Sequence, residues 1–288
     1  MAASTDKPRF SILIINPNCS THMTDALKPI LENLQYSDVH FDYFTAPQTM
    51  TLPDGKVANG NPSINSGEES SQSALYCMPS IKPLVPKYDA FLVACYSAHP
   101  LVGMLQAEIQ KLEGERVPDV PTRRRYVTGI FEASVLMSLS LTSGFSLVDM
   151  MNKAQAKETF GIVSTGSVWE AELSKAVQEM LVNSPGGQGG STRFAGVATT
   201  GLTAGELHTT SPDEVRRKII DATEKLIKAS SYTLNAVCMG CAGMAGMEEA
   251  VREGCIRAYG DQGGNRVRIV DGVVAGAGML VSACKAGF

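Results

Sequence analysis

The chain has 288 residues, 44% of them hydrophobic, and a formal net charge of −4. That length and apolar fraction suit one large domain or two small ones with packed cores. The mild negative charge, with Arg123-Arg124-Arg125 as the one basic run, excludes the electrostatic footprint of a nucleic-acid binder, and no apolar stretch is long enough to span a bilayer. The first nine residues are polar and lack the apolar core of a signal peptide, so a cytoplasmic location with no membrane partner is expected.

Phe10 to Ile15 is a short β-branched apolar run that ends at Asn16-Pro17-Asn18, ahead of Ser20, Thr21 and a helix-like stretch to Asn33. It predicts a buried parallel strand feeding a polar-capped helix. Val39 to Phe44 alternates like a second strand. Pro53 to Ser73 holds Asp54-Gly55, Asn59-Gly60-Asn61-Pro62 and a Ser/Glu cluster. It reads as one long loop, a lid or binding loop on one view and a plain surface insertion on the other. A helix from Ala74 to Leu84 and a strand from Tyr88 to Cys95 follow, and Tyr96 to Leu101 then opens a helix running through Lys111. Tyr126 to Ile130 is a strand, and Glu132-Ala133-Ser134 starts a helical segment to Lys153.

The second half begins with a strand and polar turn from Phe160 to Ser167 and a helix from Val168 to Leu181. Pro185 to Ser191 is a glycine-rich connector without a phosphate-loop pattern. Next come a strand from Phe194 to Thr199, an amphipathic helix from Asp213 to Ala229 capped by Ser211-Pro212, and a strand that ends in Gly240-Cys241-Ala242-Gly243. Glu248 and Glu249 after this turn mark a helix start, which predicts unpaired amides and a partial positive charge near Cys241 and a lowered thiol pKa. A strand from Val267 to Gly272 and a small-residue helix from Val273 close the chain.

Strand and helix alternate throughout, so the fold class is α/β with mainly parallel sheets. An internal repeat divides it: Asn16 lies 79 positions before Cys95 and Thr165 lies 76 before Cys241, while Cys95 to Gly129 spans 34 and Cys241 to Gly272 spans 31. Two pseudo-symmetric lobes follow, each a short sheet flanked by helices and each with one cysteine at the carboxyl end of a strand, where open α/β sheets bind ligands. Pseudo-symmetry places Cys95 and Cys241 on opposite walls of one cleft.

Seven cysteines are an odd count in a chain without an export signal, so reduced thiols are expected. Cys238 and Cys241 spell C-x-x-C. The four histidines are scattered, which leaves a zinc site short of ligands, and Cys238 lies within the strand, which disfavours a redox pair. Cys19, Cys77, Cys255 and Cys284 read as packing residues. Two equivalent thiols on opposite sides of one carbon can remove a proton from one face and return it on the other, which is racemisation. The enolate needs donors, and the turn amides around Cys95-Tyr96-Ser97 and Gly240-Cys241-Ala242 suit. No metal, nicotinamide or pyridoxal motif is present and none is required.

Asn16-Pro17-Asn18-Cys19-Ser20, Thr45-Ala46-Pro47, Ala94-Cys95, Phe160 to Gly166, Gly240-Cys241-Ala242-Gly243-Met244 and Asp271-Gly272-Val273 resemble the aspartate/glutamate/hydantoin racemase superfamily, in its hydantoin and allantoin racemase branch. The resemblance implies a cofactor-independent, homo-oligomeric racemase of a small molecule, with Cys95 and Cys241 transferring the proton. It places the ring-binding contacts near Asn16, the loop holding Ser63 and Ile64, Tyr96, Ser97, Thr165, Gly166, Gly240 and Ala242. It also implies that the chain crosses between lobes twice, giving a first lobe of residues 8–132 plus 273–288 and a second of 133–272. After Cys95 the chain reads Tyr96-Ser97-Ala98-His99-Pro100, where hydantoin racemases carry a Phe-Gly/Ser-Asp-Pro-like continuation. His99 therefore stands where an acid is usual, as a modulator of Cys95 or as a plain helix cap. Other superfamily activities (amino-acid racemase, cis–trans isomerase, decarboxylase) and a non-catalytic ligand-binding protein are the alternatives.

Overall fold

A computed structural model describes residues 8–51, 55–114, 123–142, 158–181 and 193–288. The first half runs β1 (Phe10–Asn16), α1 (Thr21–Glu32), β2 (Val39–Thr45), β3 (Thr49–Thr51), β4 (Val57–Asn59), α2 (Gly67–Ile81), β5 (Ala90–Val93), α3 (Pro100–Gly114), β6 (Tyr126–Gly129) and α4 (Ile130–Leu141). The second runs β7 (Thr159–Ser164), α5 (Val168–Leu181), β8 (Phe194–Thr199), α6 (Glu206–Thr209), α7 (Pro212–Ala229), β9 (Leu234–Gly240), α8 (Glu248–Gly264), β10 (Arg268–Asp271) and α9 (Gly272–Ala286).

The two halves build the same sheet twice. One has the order β2-β1-β5-β6 and the other β8-β7-β9-β10, with every neighbouring pair parallel. Strands covered on both faces must be apolar throughout, which explains the unbroken runs Ile12-Leu13-Ile14-Ile15 and Ala90-Phe91-Leu92-Val93, all buried. One core joins the inner faces of both sheets: Ile12 and Ile14, Ala90 and Leu92, Phe160 and Ile162, and Ala236 and Cys238 meet α1, α4, α5 and α9 there. Leu13, Phe91 and Val93 pack outward on α2 and α3, and Val163, Val237 and Met239 outward on α7 and α8. The helices after β6 and β10 exchange partners. α4 packs on β9 and β10, whereas α9 packs on β5 and β6.

Several expectations change. The stretch expected as one loop from Pro53 to Ser73 contains the hairpin strand β4, paired with β3, and the start of α2. Its Ser/Glu cluster is a helix start: Ser66 Oγ accepts from the Glu69 amide at 3.1 Å, and Ser70 and Ser71 bond back to the carbonyls of Ser66 and Gly67 at 3.0 Å each. The helix expected to run on to Lys153 ends at Leu141, where Thr142 adopts extended backbone. Residues 143–157 and the connector Pro185 to Ser191 lie outside the described residues. Among the described residues no helix is long and apolar enough to cross a membrane.

Candidate functional site

Cys95 follows β5 by two residues and Cys241 follows β9 directly, so equivalent strands deliver the two cysteines to one end of the paired sheets. Both thiols line one cavity. Asn16, Asn18, Ala94 and Tyr96 contribute to it beside Cys95, with Met23 and Leu27 from α1 and Ile64 from the α2 approach. From the other half come Thr165, Trp169 and Ala204, and the turn Gly240 to Gly243 around Cys241. The free space is about 30 Å³, room for about two waters. None of the described residues lining it is Lys, Arg, Asp or Glu.

The candidates from sequence divide by position. Asn16, Ile64, Tyr96, Thr165, Gly240 and Ala242 line the cavity with the two cysteines. Asn16 also holds its own turn: its Nδ2 donates to Asn18 Oδ1, Ser20 O and Thr24 Oγ1, each at 3.0 Å, and its Oδ1 accepts from the Asn18 amide at 3.1 Å. Ser63 and Gly166 lie outside the lining, Ser63 donating to Asn65 Oδ1 at 3.0 Å. Ser97 stands behind Cys95, with its hydroxyl 3.8 Å from the sulfur. His99 is buried; its Nδ1 accepts from the Leu101 amide at the start of α3, which leaves Nε2 to donate to Ser73 Oγ at 3.0 Å. Burial pushes its pKa down to about 4, so the ring is neutral and acts as a helix cap in contact with α2. Asn18, Met23, Leu27, Trp169 and Ala204 escaped sequence reasoning, because helix and loop positions give no local sign of which side chains will meet across two lobes.

The environment of Cys241 also departs from expectation. No α-helix begins at the turn: a three-residue 3₁₀ helix, Ala242–Met244, intervenes and α8 starts only at Glu248. What remains of the helix-start effect is local, the Gly243 amide donating to Cys241 Sγ at 3.4 Å. Instead of a lowered thiol pKa, burial pushes Cys241 up to about 11, against the pull of the Gly243 and Met244 amides, and Cys95 up to about 12. Glu132, at the first turn of α4, is raised to about 7 by burial, and its Oε2 has no hydrogen-bond partner among the described residues.

Cys238 is fully buried in the inner core beside the Ser138 hydroxyl at 3.1 Å, away from the cavity. Among the described residues no three His, Cys, Asp or Glu side chains gather as a metal site requires.

The buried thiols also set an alkaline limit on stability. Burial raises Cys77 to about 12 and Cys255 and Cys284 to about 11. The folded state thus holds protons that the unfolded chain releases near the ordinary thiol pKa of about 8.5. That stability is complete below the unfolded value and is lost as pH rises toward the folded values, at up to about 1.4 kcal/mol per pH unit per thiol. Thermal denaturation followed by circular dichroism is expected to show a lower Tm at pH 10 than at pH 8, with a shallower fall in Cys77→Ala; an equal or higher Tm at pH 10 contradicts this.

The Asp/Glu/Hydantoin racemase family model matches residues 12–280. An uncharacterized protein of Schizosaccharomyces pombe is 30% identical over 271 residues, covering 94% of this chain and 90% of its own length. Two solved structures share the fold. An allantoin racemase from Pseudomonas fluorescens aligns with a TM-score of 0.67 at 20% identity, covering 96% of this chain and 92% of that one. An allantoin racemase from Klebsiella pneumoniae aligns at 0.64 and 20% identity, covering 97% and 89%.

Proposed function

This chain belongs to the Asp/Glu/hydantoin racemase family, and from that premise we propose that it racemises a neutral hydantoin-type ring, allantoin or a 5-monosubstituted hydantoin, by proton transfer at C5 between Cys95 and Cys241. The observation that carries this reading is a cavity shared by two thiols from equivalent strands, with no Lys, Arg, Asp or Glu among its described lining residues. A free amino acid would bring a carboxylate and an ammonium into that space with no charged side chain to pair either, and unpaired buried charges are costly. An uncharged ring meets the neutral polar atoms of Asn18 and Thr165 and the apolar walls of Met23, Leu27 and Trp169. The allantoin racemase activity of two proteins with the same fold accords with this choice.

The C5–H of such a ring lies between a carbonyl and a nitrogen, which makes it acid enough for a thiolate. The thiolate takes the proton from one face, and the electron pair delocalises into the carbonyl. The backbone amides of Tyr96 and Ala242, each next to a thiol, would hold the enolate oxygen. The opposite thiol then protonates C5 from the other face, which leaves one thiol and one thiolate as before. Because the free space is small, the ring must widen the cavity on entry, and closure around it excludes water from the transferred proton.

The test is polarimetry on single enantiomers of allantoin and 5-benzylhydantoin beside L-glutamate. Loss of rotation above the spontaneous rate is expected for a ring and not for the amino acid; the opposite pattern would overturn the ring assignment. The C-x-x-C spacing predicts nothing here, because Cys238 is walled off in the core. Cys238→Ser is expected to keep kcat/KM within about threefold, as a change outside the cavity should. A loss comparable to that of Cys241→Ser would return the redox reading.

A further inference from the structure

We infer that the two thiols are not equivalent, Cys241 ionising before Cys95, and that Ser70 on α2 is the positioning residue that sets this order through Ser97. The inference rests on the two-thiol reading above. It starts from the direction of a buried hydroxyl chain. Ser70 Oγ donates to the Ser66 carbonyl at 3.0 Å, and a carbonyl can only accept. With its own proton committed, Ser70 Oγ can only accept from its other neighbour, Ser97 Oγ at 3.3 Å. Ser97, its proton turned toward Ser70, presents a lone pair to Cys95 Sγ at 3.8 Å. The sulfur then has an acceptor in front of it and is held as S–H. Ser70 and Ser97 are 1% and 4% exposed, so water does not offer either hydroxyl an easy alternative.

Cys241 meets the reverse situation. Its sulfur accepts from the Gly243 amide at 3.4 Å, and a backbone amide can only donate, which favours the thiolate. The titratable groups around the pair point the same way. Cys77, Glu132 and Cys241 itself each oppose ionisation of Cys95. Behind Cys241, a side chain on Gly243 would meet His208 Nε2 at 3.0 Å and Cys241 Sγ at 3.6 Å. His208 is held toward its neutral form by burial and by His22. The unequal ionisation gives the lobes distinct roles: the enantiomer whose C5–H faces Cys241 meets the more readily formed thiolate, whereas the other needs the charge on Cys95.

The experiment measures carboxamidomethylation of each cysteine by peptide mass spectrometry in the protein without substrate, in pulses from pH 7 to 12 short enough that far-UV circular dichroism still shows the fold. The midpoint of each rate profile reports thiol ionisation independently of how easily the reagent enters. In the wild type the Cys241 midpoint is expected at least about one pH unit below that of Cys95, tenfold in thiolate fraction. Ser70→Ala frees the Ser97 proton to turn toward Cys95 and should raise the Cys95 thiolate fraction at fixed pH by about fivefold, the worth of one neutral hydrogen bond, while Cys241 stays in place. Ser70→Thr, which keeps the hydroxyl, should restore the wild-type order. A wild-type Cys95 midpoint at or below that of Cys241 overturns the inference, as does a Ser70→Ala profile that moves neither thiol or both equally. Because no substrate is present, failure of the ring assignment by polarimetry leaves this result readable, and failure here leaves that one readable.

Discussion

Cys95→Ser and Cys241→Ser are each expected to lower kcat/KM for racemisation by about 10²–10⁴-fold, the usual contribution of a positioned acid or base. Racemisation uses both thiols in both directions, one as base and the other as acid, so either substitution must slow both enantiomers. Because the pair acts as a unit, the double variant should lose little beyond the worse single one. The two single variants should nevertheless differ in partial reactions. With Cys241 the more readily ionised thiol, Cys95→Ser retains proton abstraction from the face that Cys241 serves, without inversion, whereas Cys241→Ser loses it. Both side chains are small and partly buried, and far-UV circular dichroism should be unchanged. Polarimetry on each enantiomer checks the rates; a variant within about tenfold of wild type would mean that some other group does the work of its thiol.

Gly272→Ala should damage the fold. At Gly272, where β10 passes into α9, a Cβ would stand 2.5 Å from the Ile130 carbonyl oxygen and 3.0 Å from Ile130 Cβ, at the start of α4. The oxygen belongs to the backbone and cannot rotate aside, so the two helix starts must separate. Overpacking of this kind costs about 1–3 kcal/mol, a fall in Tm on the order of 5 °C for a chain of this size. Since α4 packs on β9 and β10 and α9 on β5 and β6, the shift reaches both strands that carry the thiols, and kcat/KM should fall with stability. Gly278→Ala is the control on the same helix. Its Cβ would meet Tyr36 Oη at 3.7 Å, an ordinary contact, and replacing a helical glycine should leave Tm equal or higher. A Tm for Gly272→Ala at or above wild type would contradict the close approach.

Much of the architecture is legible in the sequence because of burial. Ile12 to Ile15, Ala90 to Val93 and Val237 to Met239 are covered on both faces, so they stay apolar over their whole length, and the order of strands and cysteines repeats in each half. The start of α2 is hidden in the sequence because Ser66, Ser70, Ser71 and Ser73 look like loop composition; they are compatible with helix because their hydroxyls accept from or donate to the helix's own backbone. The cavity is legible only where it sits at strand ends. Cys95, Tyr96, Thr165, Gly240 and Cys241 follow from that rule, whereas Trp169 on α5, Met23 on α1 and Ala204 before α6 arrive by tertiary packing. Thiol acidity is not legible for a related reason: acids at 248 and 249 announce a helix, yet the intervening residues separate its start from Cys241, and desolvation outweighs the few local amides.

The most direct test of proton transfer between two thiols is solvent isotope incorporation during the first turnovers. Each enantiomer of allantoin and of 5-benzylhydantoin is incubated with the wild-type protein in deuterium oxide, and deuterium at C5 is measured separately in product and recovered substrate after chiral separation, against the enzyme-free baseline. Transfer between two thiols predicts deuterium in the product enantiomer while recovered substrate stays largely protiated, because one face gives up its proton and the other receives a solvent-derived one. Deuterium entering recovered substrate as fast as product would point to a single base, and no enzyme-dependent exchange on either ring would contradict the account of this site.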